Sequence, residues 1–198
     1  MRFLRQFAAA PNMLTMMRLF SLPFLVNMIL DRQWTWAFPL MMVAGITDAF
    51  DGLLARWLHQ YTRLGQYLDP IADKLLLSTL FLTLTHVGLI QRYVAVLVFS
   101  RDLGILLIST LLFVTNTLKD FRPSMFGKIN TAVQILAMVT VMAGQVWPIP
   151  HLPQFNMWLL RLIAVLAPLS AAQYAWIVIR RVSTPIEPGG PTALDPAQ

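Results

Sequence analysis

The chain has 198 residues, of which 57% are hydrophobic and only 12% are charged. Soluble domains carry about 25% charged residues, so this composition excludes an ordinary soluble domain and indicates an integral membrane protein. The net charge of +6 is more consistent with membrane orientation and binding of anionic lipid than with binding of nucleic acid. The absence of cysteine excludes a disulfide framework and thiolate chemistry.

Long apolar segments recur along the chain at the length that is needed to cross a bilayer, which is about 20 residues for a helix. The connections between them are short, so we expect an all-α membrane domain over residues 1–182, built as one bundle of six transmembrane helices. Residues 183–198 are rich in Pro and Gly and are predicted to form a disordered tail. The predicted spans are residues 13–30, 34–51, 69–90, 93–116, 129–147 and 157–179.

The Lys and Arg residues outside the predicted spans fall mostly on one side of the membrane. By the positive-inside rule this side is cytoplasmic, which places both chain termini and the connection between the second and third spans in the cytoplasm. The tryptophans near the outer ends are predicted to form an interfacial aromatic belt. The cytoplasmic side carries Arg2, Arg5, Arg56, Arg63, Lys119, Arg122, Lys128, Arg180 and Arg181, the other side carries Arg32 and Arg92, and the belt consists of Trp34, Trp36, Trp147 and Trp158.

Four aspartates surround the connection between the second and third spans, in the segment GITDAFDGLLARWLHQYTRLGQYLDPIAD (45–73). Asp48 and Asp51 are spaced i, i+3, whereas Asp69 and Asp73 are spaced i, i+4, so each pair shares one side of its helix. Carboxylates in a membrane are costly, and four of them close together repel one another. Ligand sets made only of oxygen suit Mg²⁺ or Mn²⁺, so the pattern predicts a divalent-metal site.

Structural roles can also be given to these aspartates one at a time. Asp69 followed by Pro70 has the sequence of a helix N-cap with proline at the first helical position. The first two aspartates could instead form ion pairs with Arg56 and Lys74. These roles leave the joint spacing of four carboxylates unexplained, as well as the intervening Gly52, which weakens a helix by roughly 1 kcal/mol relative to Ala.

The pattern Asp48-x2-Asp51-Gly52-x2-Ala55-Arg56-x8-Gly65-x3-Asp69-x3-Asp73 resembles the complete signature of the CDP-alcohol phosphotransferases. These are membrane enzymes of phospholipid synthesis with six transmembrane helices. All eight fixed positions are present at the spacing of the family. The resemblance extends to PNMLTMMRL (11–19), SRD (100–102) and FGKINTAVQ (126–134), so it covers most of the chain except the tail.

The resemblance implies that a CDP-linked lipid, here CDP-diacylglycerol, donates its phosphatidyl group to an alcohol and that CMP leaves. It also implies a homodimer. A bacterial inner membrane and a mitochondrial inner membrane both stay open, and the positive-inside rule places the active site at the cytoplasmic face. Two Mg²⁺ or Mn²⁺ ions would be bound by Asp48, Asp51, Asp69 and Asp73, of which Asp73 would also be the general base for the acceptor hydroxyl. The implied nucleotide pocket consists of Gly52, Ala55, Arg56 and Gly65, with Thr62, Asn12 and Thr15 as further candidates.

The motif PNxLTxxR resembles two branches of the family, which differ in the acceptor alcohol. Phosphatidylglycerophosphate synthases use glycerol 3-phosphate, and cardiolipin synthases of the CDP-dependent type use phosphatidylglycerol. SRD and KINTAVQ look closer to the second branch, whereas the first activity is the more widespread one. We expect glycerol 3-phosphate as the acceptor, with phosphatidylglycerol as the alternative.

A phosphate on the acceptor requires cations, for which the sequence offers Arg101, Arg122 and Lys128. Each of the better placed candidates also has a structural explanation. Arg101 could pair with the adjacent Asp102, because an unpaired charge inside a span is costly. Lys128 could anchor a lipid headgroup at the start of the fifth span. In the first span, Asn12 could cap the helix instead of contacting the nucleotide.

Two interpretations from other functional classes stay open at this point. A cation or proton transporter also keeps carboxylates in membrane helices, but such relays are expected nearer the midplane, and no internal repeat is visible. A structural membrane subunit leaves the four aspartates without a role. Divalent-dependent release of CMP from CDP-diacylglycerol distinguishes the enzyme from both.

Overall fold

The computed structural model describes the backbone of residues 10–58, 63–114 and 125–183, and nearly all of these residues lie in six α-helices. Side chains are described for residues 13–47, 72, 74–108 and 125–180. The predicted all-helical class is confirmed for this part of the chain, which contains no strand. The helices are α1 (Ala10–Leu30), α2 (Trp34–Leu58), α3 (Arg63–His86), α4 (Arg92–Val114), α5 (Met125–Val146) and α6 (Leu152–Ser183).

The helices form a ring of neighbours. Helix α1 packs against both α2 and α3, α6 packs against both α4 and α5, and the two groups are joined by contacts of α2 with α5 and of α3 with α4. Helix α5 also contacts α3 across the ring. As a result α5 lies against both helices that carry the four aspartates.

Two of the described connections are tight helix ends stabilised by backbone hydrogen bonds. After α1, Gln33 N donates to Met28 O at 2.8 Å and Arg32 N donates to Ile29 O at 3.0 Å, with Arg32 at a φ of 57°. This is the Schellman pattern, which satisfies the last carbonyl groups of a helix. The same pattern follows α3, where Gly88 has a φ of 84°, a conformation that glycine adopts without a steric penalty.

The apolar core occupies the half of the bundle near these tight connections. All six helices contribute to it. Its fully buried side chains include Leu25, Ile29, Leu80, Phe81, Leu84, Val94, Val98, Met138, Met142 and Ile163.

Large apolar side chains also cover the outside of the bundle. Phe20 is 73% exposed, Trp36 69% and Trp158 68%, and they belong to a larger set of exposed apolar residues on every helix. Exposed apolar side chains on every helix are typical of a surface that contacts lipid. The structure therefore agrees with a membrane protein.

Three described helical segments are long and apolar enough to cross a membrane: Met13–Leu30, Met125–Val146 and Leu152–Arg180. Helices α2, α3 and α4 have 25, 24 and 23 residues, so they are long enough as well. In α2 the segment Trp34–Thr47, where its side chains are described, is apolar.

Candidate functional site

The three described connections, residues 31–33, 87–91 and 147–151, lie together at one end of the bundle. The rings of Phe38 and Trp147 meet edge to face, with 5.4 Å between their centroids, which brings the start of α2 to the end of α5. A shallow pocket is lined by residues of both the 87–91 connection and the α5–α6 connection. The opposite end is therefore formed by the first halves of α1, α3 and α5 and the second halves of α2, α4 and α6.

This opposite end, which we call the aspartate end, contains all four aspartates on helical backbone. Asp48 and Asp51 lie in the last turns of α2, and Asp69 and Asp73 lie in the first turns of α3. At a rise of 1.5 Å per residue, Asp51 and Asp69 are roughly 10 Å along the axis from the ends of their helices. Asp48 and Asp73 are roughly 15 Å along it by the same measure. The two pairs thus enter the bundle to similar depths from adjacent chain segments.

The structure corrects two capping roles that the sequence allowed. Helix α3 begins at Arg63, so Asp69 lies inside it and is not its N-cap. Helix α1 is described from Ala10, so Asn12 lies inside its first turn and does not cap it. Both corrections remove a structural explanation for a residue that the resemblance assigns to the site.

A buried ion-pair network joins three helices beside the aspartates. The Arg101 guanidinium donates through Nη1 to Asp102 Oδ1 and through Nε to Ser170 Oγ, the latter at 2.9 Å. The Lys74 ammonium lies 3.3 Å from the same Asp102 oxygen. The Asp102 side chain is 1% exposed and that of Lys74 is 27% exposed. The network connects α3, α4 and α6, and Lys74 follows Asp73 directly in the sequence.

These contacts bear on two of the expected roles. The pairing of Arg101 with Asp102, which the sequence allowed, is present, and Arg101 is buried. Lys74, which the sequence offered as a partner for the aspartates of α2, forms its described ion pair with Asp102 on α4. The role of Arg101 in binding the acceptor stays a prediction.

Two amide side chains on α5 lie within the motif FGKINTAVQ, and the sequence alone indicates no role for them. Asn130 and Gln134 are 0% exposed, and in the described part of the chain neither the oxygen nor the nitrogen of either amide has a hydrogen-bond partner. Four unmet polar atoms inside an apolar helix bundle are costly. The available sequence signal was their i, i+4 spacing on an otherwise apolar face.

The other described site candidates differ in exposure. Thr15 is 0% exposed and lies on the inner side of α1. Arg18, one turn further along, is 3% exposed. Lys128 is exposed in the first turn of α5. The α1 residues are thus part of the interior, whereas Lys128 is at the surface of the aspartate end.

The remaining predicted site residues lie outside the described side chains, so their contacts stay predictions. Among the described side chains, no group of three His, Cys, Asp or Glu residues is arranged to hold a metal ion. The four aspartates of the predicted metal site are not among these side chains, because only their backbone is described. The residues outside the described side chains are Asn12, Asp48, Asp51, Gly52, Ala55, Arg56, Thr62, Gly65, Asp69, Asp73 and Arg122.

The fold and the site define a class: a helical membrane protein with four aspartates on the helical segments next to one end of its bundle and a buried ion-pair network nearer its middle. Comparison with known proteins gives the family. The profile of the CDP-alcohol phosphatidyltransferases matches residues 8–172, most of the chain. The chain belongs to the CDP-alcohol phosphatidyltransferase family, which confirms the family indicated by the aspartate spacing.

Relatives from both expected branches are similar to this chain. The cardiolipin synthase (CMP-forming) of Homo sapiens is 34% identical over 155 residues, which cover 69% of this chain and 51% of the human protein. A probable phosphatidylglycerophosphate synthase of Mycobacterium tuberculosis is 35% identical over 136 residues, or 64% of this chain and 62% of that protein. The CDP-diacylglycerol–glycerol-3-phosphate 3-phosphatidyltransferase of Aquifex aeolicus is 32% identical over 133 residues, which cover 66% of this chain and 74% of that protein. The alignment thus spans about half the length of the human relative.

Proposed function

We propose that this protein transfers a phosphatidyl group from CDP-diacylglycerol to a glycerol-type acceptor and releases CMP, a step of phospholipid biosynthesis. The observation that carries the proposal is the position of all four aspartates at one end of the bundle, in a chain that belongs to the CDP-alcohol phosphatidyltransferase family. Family membership favours this reaction over the transporter and the structural subunit, since neither of those explains the match.

Asp48, Asp51, Asp69 and Asp73 would hold two Mg²⁺ or Mn²⁺ ions. The donor set fits such ions because all four ligands are carboxylates, which hard divalent cations prefer. The i, i+3 and i, i+4 spacings direct each pair to one side of its helix. When bound, the ions neutralise charge on the pyrophosphate and stabilise the departing nucleotide.

Asp73 is proposed to act as the general base. Its carboxylate takes the proton of the acceptor hydroxyl, and the resulting oxygen attacks the phosphorus that carries the diacylglycerol. The bond from that phosphorus to the bridging oxygen of the pyrophosphate breaks, and CMP leaves with this oxygen.

The nucleotide is proposed to lie between the end of α2, the start of α3 and the first turns of α1. The burial of Thr15 on the inner side of α1, which packs against both aspartate-bearing helices, supports this pocket. Gly52 would allow the close approach of a ligand to the backbone, since it has no Cβ. The proposed nucleotide contacts are Asn12, Thr15, Gly52, Ala55, Arg56, Thr62 and Gly65.

Glycerol 3-phosphate is the proposed acceptor, and its phosphate would be bound by cations at the aspartate end. Lys128 is the best supported of these because it is exposed at the start of α5. Arg101 shares its charge with Asp102, and Arg122 is proposed from the sequence alone. Phosphatidylglycerol is the second candidate acceptor, favoured by the likeness to a human protein named cardiolipin synthase.

We further propose that all six helices cross the membrane, with both termini and the aspartate end in the cytoplasm. Helix α6 supports a spanning arrangement, because Arg161 lies over the Trp158 ring and Arg180 lies over the Trp176 ring. The two tryptophans are roughly 27 Å apart along the helix axis, close to the thickness of the hydrocarbon core of about 30 Å. A homodimer in a bacterial or mitochondrial inner membrane, and a disordered tail, complete the proposal.

The test is product identification with purified protein in detergent. CDP-diacylglycerol and Mg²⁺ or Mn²⁺ are supplied with glycerol 3-phosphate in one reaction and phosphatidylglycerol in another. We expect phosphatidylglycerophosphate in the first reaction. Cardiolipin formed only in the second would replace glycerol 3-phosphate by phosphatidylglycerol as the acceptor, and no new lipid in either would reject both.

A further inference from the structure

We propose that Asn130 and Gln134 bind the paired hydroxyl groups of the glycerol acceptor and thereby select it. This inference rests on the proposed function and adds two residues that confer specificity. It concerns the hydroxyl-bearing end of the acceptor, which free glycerol 3-phosphate and the glycerol headgroup of a lipid have in common.

The burial of the two amides is the first observation. Both residues are 0% exposed, and in the described part of the chain all four amide atoms lack a hydrogen-bond partner. Such groups are rare in folded proteins because each costs the free energy of its lost hydration. In a membrane bundle the cost is not relieved by bulk water. A ligand that meets these atoms explains why they are kept.

The position of the amides on α5 is the second observation. Asn130 and Gln134 continue the buried stripe of α5 that includes Ala137, Met138 and Val141, so they face the interior. They lie in the half of α5 that approaches the aspartate end. Gln134 is roughly 14 Å along the axis from the start of its helix. That depth is close to the roughly 15 Å of Asp48 and Asp73 from the ends of their own helices.

The packing of α5 brings this stripe toward the reacting groups. Helix α5 packs against α2 and against α3, the two helices that carry the aspartates. When Asp73 deprotonates one hydroxyl of the acceptor, the atoms next to that hydroxyl therefore lie in the part of the bundle where α5 packs against α2 and α3. In the described part of α5, Asn130 and Gln134 are the only buried amides without a hydrogen-bond partner, so they are available to bind these atoms of the acceptor.

The chemistry of an amide pair favours hydroxyl groups over a phosphate or a cation. Each amide presents one carbonyl oxygen that accepts and one NH₂ group that donates. A hydroxyl group both donates and accepts, so two neighbouring hydroxyls can satisfy both kinds of atom. A phosphate would only accept and would face two carbonyl oxygens, and a metal ion would face two NH₂ groups. A glycerol diol is the ligand that leaves neither kind of atom unmet.

The experiment compares acceptors that differ in one hydroxyl. Glycerol 3-phosphate is compared with 3-hydroxypropyl phosphate, and phosphatidylglycerol with phosphatidyl-1,3-propanediol. Each analogue keeps the terminal hydroxyl that reacts and lacks the secondary hydroxyl. For the wild-type protein we expect kcat/KM to fall by about tenfold or more with the analogue, because a site built for a hydroxyl leaves its own polar groups unmet without it. The pair that shows turnover identifies the source of the diol.

The variants Asn130→Leu and Gln134→Met remove the amides and keep a similar size. We expect the preference for the diol to shrink to within about twofold, through a higher KM for the natural acceptor. The KM for CDP-diacylglycerol should not change. Gln145→Met is the matched control, because Gln145 is an exposed amide near the other end of the same helix. It should keep the full preference.

Thermal unfolding separates this role from a structural one. Replacing unmet buried polar atoms by apolar ones should leave the melting temperature unchanged or raise it. A lower melting temperature together with a retained diol preference would assign the amides to helix packing and overturn the inference. Wild-type turnover without discrimination between diol and analogue would overturn the inference alone. Absence of CMP release with every acceptor would overturn the proposed function and the inference with it.

Discussion

Asp102 accepts from Arg101 and lies 3.3 Å from the Lys74 ammonium, and both cations meet the same carboxylate oxygen. Its side chain is 1% exposed, so neither water nor salt screens these charges effectively. A buried pair of this kind does not by itself add stability relative to apolar packing, but removal of one partner leaves an uncompensated buried charge. The three charges are therefore interdependent.

Asp102→Asn should lower the free energy of unfolding by about 3 kcal/mol, since it leaves two cations without a counter-charge. Lys74→Met should cost less, about 1 kcal/mol, because Lys74 is partly exposed and Asp102 keeps Arg101. Thermal unfolding of the purified variants in detergent measures the order. A larger loss for Lys74→Met than for Asp102→Asn would contradict the assignment of Asp102 as the centre of the network.

Asp73→Asn should reduce kcat by about 10²- to 10⁴-fold, since the amide cannot accept the proton of the acceptor hydroxyl. The melting temperature should stay close to that of the wild type. Initial rates of CMP release measure the change. Asp31→Asn is the control, because Asp31 is exposed in the connection at the opposite end. Turnover like that of the wild type in Asp73→Asn would remove Asp73 from the role of base.

At the scale of the helix, apolar length predicted the six helices of the described residues and their order, whereas a local capping signal misplaced a boundary. The Asp69–Pro70 pair has the sequence of a helix start, yet α3 begins six residues earlier, at Arg63. Membrane helices tolerate internal proline, and α1, α2 and α6 contain Pro23, Pro39 and Pro168. A capping signal in such a chain therefore has less weight than in a soluble protein.

Gly144 allows the close approach of α5 to the start of α6. A Cβ atom at this position would lie 3.2 Å from Leu152 Cδ2. Gly144→Leu should lower the free energy of unfolding by about 1–3 kcal/mol, because the larger side chain must displace Leu152. Thermal unfolding in detergent again provides the measurement.

Gly45→Leu is the control for this change, since nothing lies within 4 Å of a Cβ at Gly45. It should be neutral or stabilising by up to about 1 kcal/mol, because leucine is the better helix former. Equal losses of stability in Gly144→Leu and Gly45→Leu would show that the contact with Leu152 is not the cause of the loss at position 144.

For the whole molecule, the sequence contained the local part of the site but not its long-range contacts. The spacing of the four aspartates is a property of two consecutive helices, so it was visible without a structure. The contact of Arg101 with Ser170 joins residues 69 positions apart, and it depends on the packing of α4 against α6. The ion pair of Lys74 with Asp102 depends in the same way on α3 and α4. No local pattern predicts which helices become neighbours.

The proposed orientation can be tested with single cysteines, because the chain has none of its own. Gln33→Cys, Gln91→Cys and His151→Cys lie in the three connections at one end of the bundle. A maleimide that cannot cross membranes should label them only from the side opposite the cytoplasm. Thr192→Cys in the tail should react only from the cytoplasmic side. Labelling of Thr192→Cys and Gln33→Cys from the same side would contradict an even number of spans.

The central claim is that the aspartate end performs metal-dependent phosphatidyl transfer, and CMP release tests it most directly. Purified protein is incubated with CDP-diacylglycerol and a glycerol-type acceptor, first with Mg²⁺ or Mn²⁺, then with excess chelator, and then with the divalent ion restored. We predict acceptor-dependent release of CMP that stops with the chelator and returns with the metal. CMP release that is unchanged by the chelator, or absent with both glycerol 3-phosphate and phosphatidylglycerol, would contradict the claim.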